Sequence, residues 1–153
     1  MYKKILVPLD GSELAEQAIE HAIALANAFE ADVYLLQVVM HMVGSLAPYE
    51  VEYQLGESFR QAALQEAHDY LNRMSSVYSP QLNKTLHTKV VEGIVVDGVL
   101  EYAEFQNIDL IVMATHGRSG VSRWVFGSVA ERVLRAANCP IFLVRVAKSP
   151  DQN

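Results

Sequence analysis

The residues with the most evident chemical potential lie in one segment, Thr115 to Phe126 (THGRSGVSRWVF), followed directly by Gly127 and Ser128. Gly117 and Gly120 let backbone amides approach a ligand closely, and Gly127 does the same where a helix is expected to begin. Ser128 adds a hydroxyl at that helix start, while Arg118 and Arg123 add positive charge. Free helix amides, glycine and arginine together are what a phosphate group requires. The plain alternative is a long loop whose glycines only make turns and whose arginines are solvated. The chain has no G-x-x-x-x-G-K-[ST] loop, which sets aside a Walker-type NTPase. It also lacks G-x-G-x-x-G, which weakens a Rossmann dehydrogenase.

Other reactive side chains are more dispersed. Asp10 sits in the turn Pro8-Leu9-Asp10-Gly11-Ser12, where a carboxylate serves equally as a turn or cap residue or as a ligand contact. His116 lies inside the long loop with no Ser or Cys nucleophile arranged beside it, so hydrogen bonding or packing is its expected role. His21, His41, His68 and His87 are scattered without metal-ligand spacing. Cys139, next to Pro140, reads as a packed thiol. Trp124 and Phe126 are expected to bury against the adjoining helix rather than to close over a ligand.

The elements that must position these residues alternate in hydrophobic period. Lys4 to Pro8 (KILVP) is a short apolar run ending in turn residues, hence a buried strand. From Ser12 the period becomes 3.6. Ala15, Ala18, Ile19, Ala22, Ala26 and Phe29 form one stripe, Glu13, Glu16 and Glu20 face away, and Ser12 is the expected N-cap. Asp32 to Val39 (DVYLLQVV) is a second strand. After an ill-patterned stretch from His41 to Gly56, Ala63, Ala67, Tyr70, Leu71 and Met74 make a second helix, and Ser75 to Lys84 reads as a loop. Leu86 to Val91 is a weaker strand suited to an edge. Val96, Val99, Leu100 and Ala103 make a third helix stopped near Asn107. Asp109 to Ala114 (DLIVMA) is apolar enough for a central strand covered on both faces. A fourth helix from about Ser128 turns Val129, Val133 and Ala136 inward, and Pro140 to Val146 is the last strand. The resulting order, β-α-β-α-β-α-β-α-β, predicts an α/β fold: a five-stranded parallel sheet between two helical layers. Ligands in such sheets bind beyond the carboxyl ends of the strands, where strand order reverses. The two most turn-rich ends follow the first and fourth strands, although periodicity alone does not make those strands neighbours. The connection of 12 residues after the fourth strand is also long against the roughly 2–6 usual for a strand-to-helix loop.

Size and charge bound the function. At 153 residues the chain has room for one domain, and 51% hydrophobic with 20% charged residues excludes wholesale disorder. One cysteine excludes an internal disulfide framework and fits a reducing compartment. Ile5 to Leu9 is shorter than the roughly 7–15 residue apolar core of a secretory signal. Val33 to Tyr49 is shorter and more polar than a helical span of about 20 apolar residues. A soluble, cytoplasmic protein is expected. The net charge of −6 argues against nucleic acid or anionic membranes as partners. That total is uneven: Met1 to Asp109 has 6 basic and 16 acidic residues, whereas Leu110 to Pro150 has 6 basic residues and only Glu131. The glycine-arginine loop lies in the basic third.

Met113 to Val129 (MATHGRSGVSRWVFGSV) closely resembles the phosphate-binding motif of the universal stress protein (UspA) family, G-x2-G-x9-G-[ST], which marks its nucleotide-binding members. Here the motif reads Ala114-x2-Gly117-x9-Gly127-Ser128, with alanine in place of the first glycine. The opening KKILVPLDGS and the closing CPIFLVRV are similar to the family too, so the resemblance covers essentially the whole chain. It implies a Rossmann-like, adenine nucleotide alpha hydrolase-like three-layer domain over residues 1–147, with a tail over 148–153. It implies ATP, AMP or ADP as ligand, with Mg2+ as an optional companion. Asp10 matches the acidic residue beside adenine, Pro8 and Leu9 line the same pocket, and the Val38 backbone meets the adenine edge. Met113 and Ala114 lie under ribose and phosphates, and Gly117, Arg118, Ser119, Gly127, Ser128 and Val129 surround the triphosphate. The resemblance also implies a homodimer through the last strand, whose apolar edge needs cover. A nucleotide-driven stress-response or regulatory role follows, with slow ATP hydrolysis or phosphoryl transfer at the same site as the alternative. A nucleotide-free structural dimer and a flavin protein are lesser readings.

Overall fold

The backbone follows the changes of hydrophobic period along the chain. The computed structural model describes residues 1–40, 49–116 and 126–145 (backbone alone over 49–55). Its elements are β1 (Lys4–Leu9), α1 (Glu13–Phe29), β2 (Asp32–Val39), α2 (Tyr49–Tyr78), a 3-10 turn (Ser79–Gln81), β3 (Leu86–Glu92), α3 (Val95–Phe105), β4 (Leu110–Ala114), α4 (Ser128–Ala136) and β5 (Ile141–Val144). The strands form one five-stranded sheet in the order β3-β2-β1-β4-β5, and every pairing is parallel. β3 is an edge strand, as its three successive exposed residues suggest, and β4 is buried along its whole length.

Strand alternation divides the core into two. Ile5, Val7 and Leu9 of β1 and Val33 and Leu35 of β2 join the stripe of α1 and Ala67, Tyr70 and Leu71 of α2. Leu6, Leu36, Ile111 and Met113 instead pack with Val96, Val99 and Ala103 of α3 and Ala130 and Val133 of α4. The molecule is thus a three-layer α/β sandwich with α1 and α2 on one face and α3 and α4 on the other. Strand order reverses between β1 and β4.

Several boundaries differ from the sequence reading. α2 begins at Tyr49, inside the ill-patterned stretch, and runs to Tyr78. Residues 75–78 are helical because an exposed turn needs no apolar stripe; Ser76 Oγ donates back to the Asn72 carbonyl at 2.9 Å. The helix tightens into the 3-10 turn where Pro80 intervenes. In α4 Ala130 and Val133 are buried and Val129 packs half-buried against the same cluster, as expected, while Ala136 is exposed. Glu13 and Glu20 face solvent as expected, but Glu16 is half-buried. β5 spans four residues, and Val146 lies outside the described residues.

Candidate functional site

The neighbours at the reversal are tied together at the base of the sheet and parted at its top. At the base, the Asp109 carboxylate accepts from the Lys3 and Lys4 amides at 3.0 to 3.4 Å, and Asp109 N donates to the Lys4 carbonyl at 3.1 Å. The β1–β4 ladder then pairs only Ile5 with Leu110 and Leu6 with Ile111. β1 meanwhile continues against β2 as far as Leu9↔Gln37, and β4 against β5 as far as Ala114↔Val144. Each strand follows its outer neighbour, and a crevice opens between their carboxyl ends. The two strand ends that looked richest in turn residues are therefore adjacent. This is where doubly wound sheets hold their ligands.

On the β1 side, Asp10 organises the turn into α1. Its Oδ1 accepts from Ser12 N at 3.0 Å and from Ser12 Oγ at 2.6 Å. Ser12 Oγ accepts in turn from Ala15 N at 3.2 Å, which caps the helix. Gly11 between them takes φ +82°, a region where only glycine is unstrained. The turn role of Asp10 is thus real, and it leaves this carboxylate at the mouth of the crevice in a fixed position.

Alternation sorts the remaining strand-end residues. Val38 and Met113 belong to the α3/α4 face, and Pro8, two residues after Leu6, projects to the same side. Leu9 points to the α1 layer and is buried there. Ala114 follows Leu110 and Val112 of that layer, so its methyl also points away from α4. Ala114 is not among the positive-φ residues, which among the described residues are, outside glycine, Glu30 and Asn107. The strand backbone at the first motif position is therefore regular, and alanine fits it without strain.

The α4 side closes the crevice. Gly127 N donates to the Thr115 carbonyl at 2.8 Å, drawing the start of α4 onto the end of β4. A Cβ at Gly127 would lie 3.3 Å from that oxygen and 3.7 Å from His116 Cα, so the close approach depends on glycine. Gly127 is also the N-cap and brings no side chain to cap the helix. The first-turn amides at Ser128, Val129 and Ala130 have no acceptor within the helix, and the dipole favours an anion there. Gly117, Arg118 and Ser119, with Gly120, Arg123 and Trp124, lie outside the described residues.

Two contributors escaped the sequence reading. Thr115 is buried; its amide donates to the Val144 carbonyl at 2.9 Å, and its hydroxyl shares a hydrogen bond with His116 Nδ1 at 3.1 Å. That contact ties the His116 ring back to the strand end. Gly98 in α3 lies so close to β2 that a Cβ there would be 3.0 and 3.1 Å from the two Val38 methyls. An isolated glycine inside a helical pattern is the signal that could have revealed it. Among the described residues, no three His, Cys, Asp or Glu side chains converge as a metal site. No described helix is long and apolar enough to cross a membrane.

A doubly wound parallel sheet whose strand order reverses between β1 and β4, with the glycine-led start of α4 at the end of β4, defines a Rossmann-like α/β protein. Within that class, residues 1–145 match the Universal stress protein family, and the chain belongs to that family. A universal stress protein of Methanocaldococcus jannaschii is 36% identical over 148 residues, which cover 97% of this chain and 85% of the relative. The solved structure of UspA from Lactobacillus plantarum agrees at a TM-score of 0.80 with 27% identity, over 94% of this chain and 98% of that one. The universal stress protein of Archaeoglobus fulgidus in complex with dAMP shares the fold at a TM-score of 0.66 with 21% identity, over 93% and 97% of the two chains.

Proposed function

We propose that the protein binds an adenine nucleotide, ATP or its di- and monophosphate, in the β1–β4 crevice. In this reading it acts as a cytoplasmic homodimer whose stress-response or regulatory role is set by that nucleotide. The observation that supports the reading is the short β1–β4 ladder, with Asp10 following β1 and the glycine-led start of α4 following β4. The chemistry suits both ends of such a ligand. A carboxylate at Asp10 and the backbone edge of Val38 can tell the amino group of adenine from the carbonyl of guanine. Pro8 and Met113 supply apolar side chains, Leu9 and Ala114 the strand backbone beside them, and Gly127, Ser128 and Val129 supply amides for phosphate. Gly117, Arg118 and Ser119 would complete the phosphate cradle. Relatives point to the same base: besides the dAMP complex, one family structure is a complex with cAMP and one from Arabidopsis thaliana holds AMP. Any Mg2+ would arrive on the phosphates. Slow hydrolysis is secondary, because the described His116 ring is engaged by Thr115.

Calorimetric titration tests the reading. ATP should bind saturably at one site per chain, with GTP weaker. No heat with ATP, or equal affinity for the two nucleotides, contradicts it.

A further inference from the structure

Helix α3 has two apolar sides, and the sheet accounts for only one. Val96, Val99 and Ala103 are buried in the core. Ile94, Gly98, Tyr102 and Phe105 recur at helical spacing on another side, where Ile94 is 60% and Phe105 78% exposed. That side borders an open groove of about 520 Å3, lined by Val91, Gly98, Tyr102 and Phe105 together with the exposed Glu101 and Glu104. The groove exists because the two helical layers differ. On one face α2 packs over β3, whereas on the other α3 packs over β2. The β3 residues on this second face, His87, Lys89 and Val91, are exposed or half-buried, with no helix over them among the described residues. Charge marks the groove as well. α3 carries Asp97, Glu101 and Glu104 and no Lys or Arg. Glu92 at the end of β3 also lines the groove, but Arg60 holds its carboxylate at 2.6 and 2.7 Å. Glu101 and Glu104 pair with no cation among the described residues.

We propose that this groove docks a basic amphipathic helix of another protein. The incoming helix takes the place over β3 that α2 fills on the opposite face. Its apolar stripe covers Val91, Tyr102 and Phe105, and its Lys or Arg side chains meet Glu101 and Glu104. The side from Ile94 to Phe105 is about 16 Å long, the length of a three-turn helix laid beside it. A second copy of this chain suits the groove less, because a two-fold contact would set Glu101 and Glu104 against the same acids. A small ligand also suits it less, because such ligands favour sites that enclose most of their surface. The groove lies across β2 from the β1–β4 crevice, so the docking does not depend on nucleotide.

Fluorescence anisotropy tests this with a fluorescein-labelled amphipathic helix of leucine and lysine, and with its leucine–glutamate counterpart. The full chain should bind the lysine peptide saturably and not the glutamate one. Glu101→Lys with Glu104→Lys should weaken binding at least about tenfold, and Phe105→Ala about fivefold. Glu66→Lys with Asp69→Lys makes the same charge change at the same spacing on exposed positions of α2, and should stay within about twofold of wild type. In amide NMR spectra the lysine peptide should shift Val91, Gly98 and Tyr102. Melting curves verify that each variant is folded. Equal losses in the two charge-reversed pairs would overturn the proposal by showing attraction to general acidity. Unchanged binding in both groove variants would overturn it too. So would light scattering in which wild type self-associates and the Glu101→Lys, Glu104→Lys variant does not, which would give the groove to a second copy.

Discussion

Alanine at position 114 replaces the first glycine of the phosphate-binding motif, and its surroundings decide whether that matters. Its backbone is ordinary strand paired to Val144, so no positive φ demands glycine. Its methyl points to the α1 layer, while the start of α4 lies on the other face. Substitution Ala114→Gly should therefore leave ATP affinity within about twofold and lower stability by roughly 0.5–1 kcal/mol, the cost of glycine in a strand. Calorimetry and thermal melting measure both effects; a large gain in affinity would show that the methyl crowds the ligand. Gly127 is the opposite case. Its φ of −57° suits any residue, and glycine is needed there only for the close approach to the Thr115 carbonyl. The same residue type serves two different physical ends in one motif.

Helix α3 is seated on the end of β2 through Gly98, and that contact sets where Val38 lies. Gly98→Ala gains roughly 1 kcal/mol of helix propensity. It also drives a methyl into Val38 and Val91, at 3.0 to 3.3 Å, an overpacking that typically costs about 1–3 kcal/mol. The second effect should win, lowering the melting temperature by a few degrees and weakening ATP as Val38 is displaced; a stabilised variant with unchanged affinity would refute this seating. Such tertiary contacts are also where sequence reading stopped. The strands and α1 were legible because burial on both faces or on one stripe leaves a period that survives in the sequence. The start of α2 is not legible, because residues 49–56 carry no clear apolar period, and Ala136 continues a 3.6 period past the last buried turn of α4. At the site, the glycine spacing was legible locally. The adjacency of β1 and β4 was not, because strand order is set by crossovers and leaves no mark in either strand. The Thr115 bond to Val144 and the Gly98 contact with Val38 arise between elements far apart in sequence and leave no mark in either.

Taken whole, the protein is acidic with a basic third that builds the β4–α4 side of the crevice, so its net charge of −6 disfavours long polyanions more than one nucleotide. Its sheet ends at β5, where Val144 is buried at 5% but Phe142 is 40% exposed, beside His21 at a ring distance of 5.8 Å. An apolar edge of this kind is a pairing surface. In the proposed homodimer Phe142 lies in the interface, so Phe142→Asp should give a folded monomer by light scattering, whereas charging Val144 would disrupt the core instead. A Phe142→Asp variant that keeps dimer mass, or a wild type that is monomeric, would remove this interface. The central claim is nucleotide binding between Asp10 and the start of α4. Its most direct test is ATP titration of wild type and Gly127→Val by calorimetry, with melting curves to verify that both are folded. The account predicts saturable binding by wild type and a loss of at least about tenfold in the variant, because a branched side chain pushes the α4 amides off the end of β4. Equal ATP affinity in two folded proteins would contradict it.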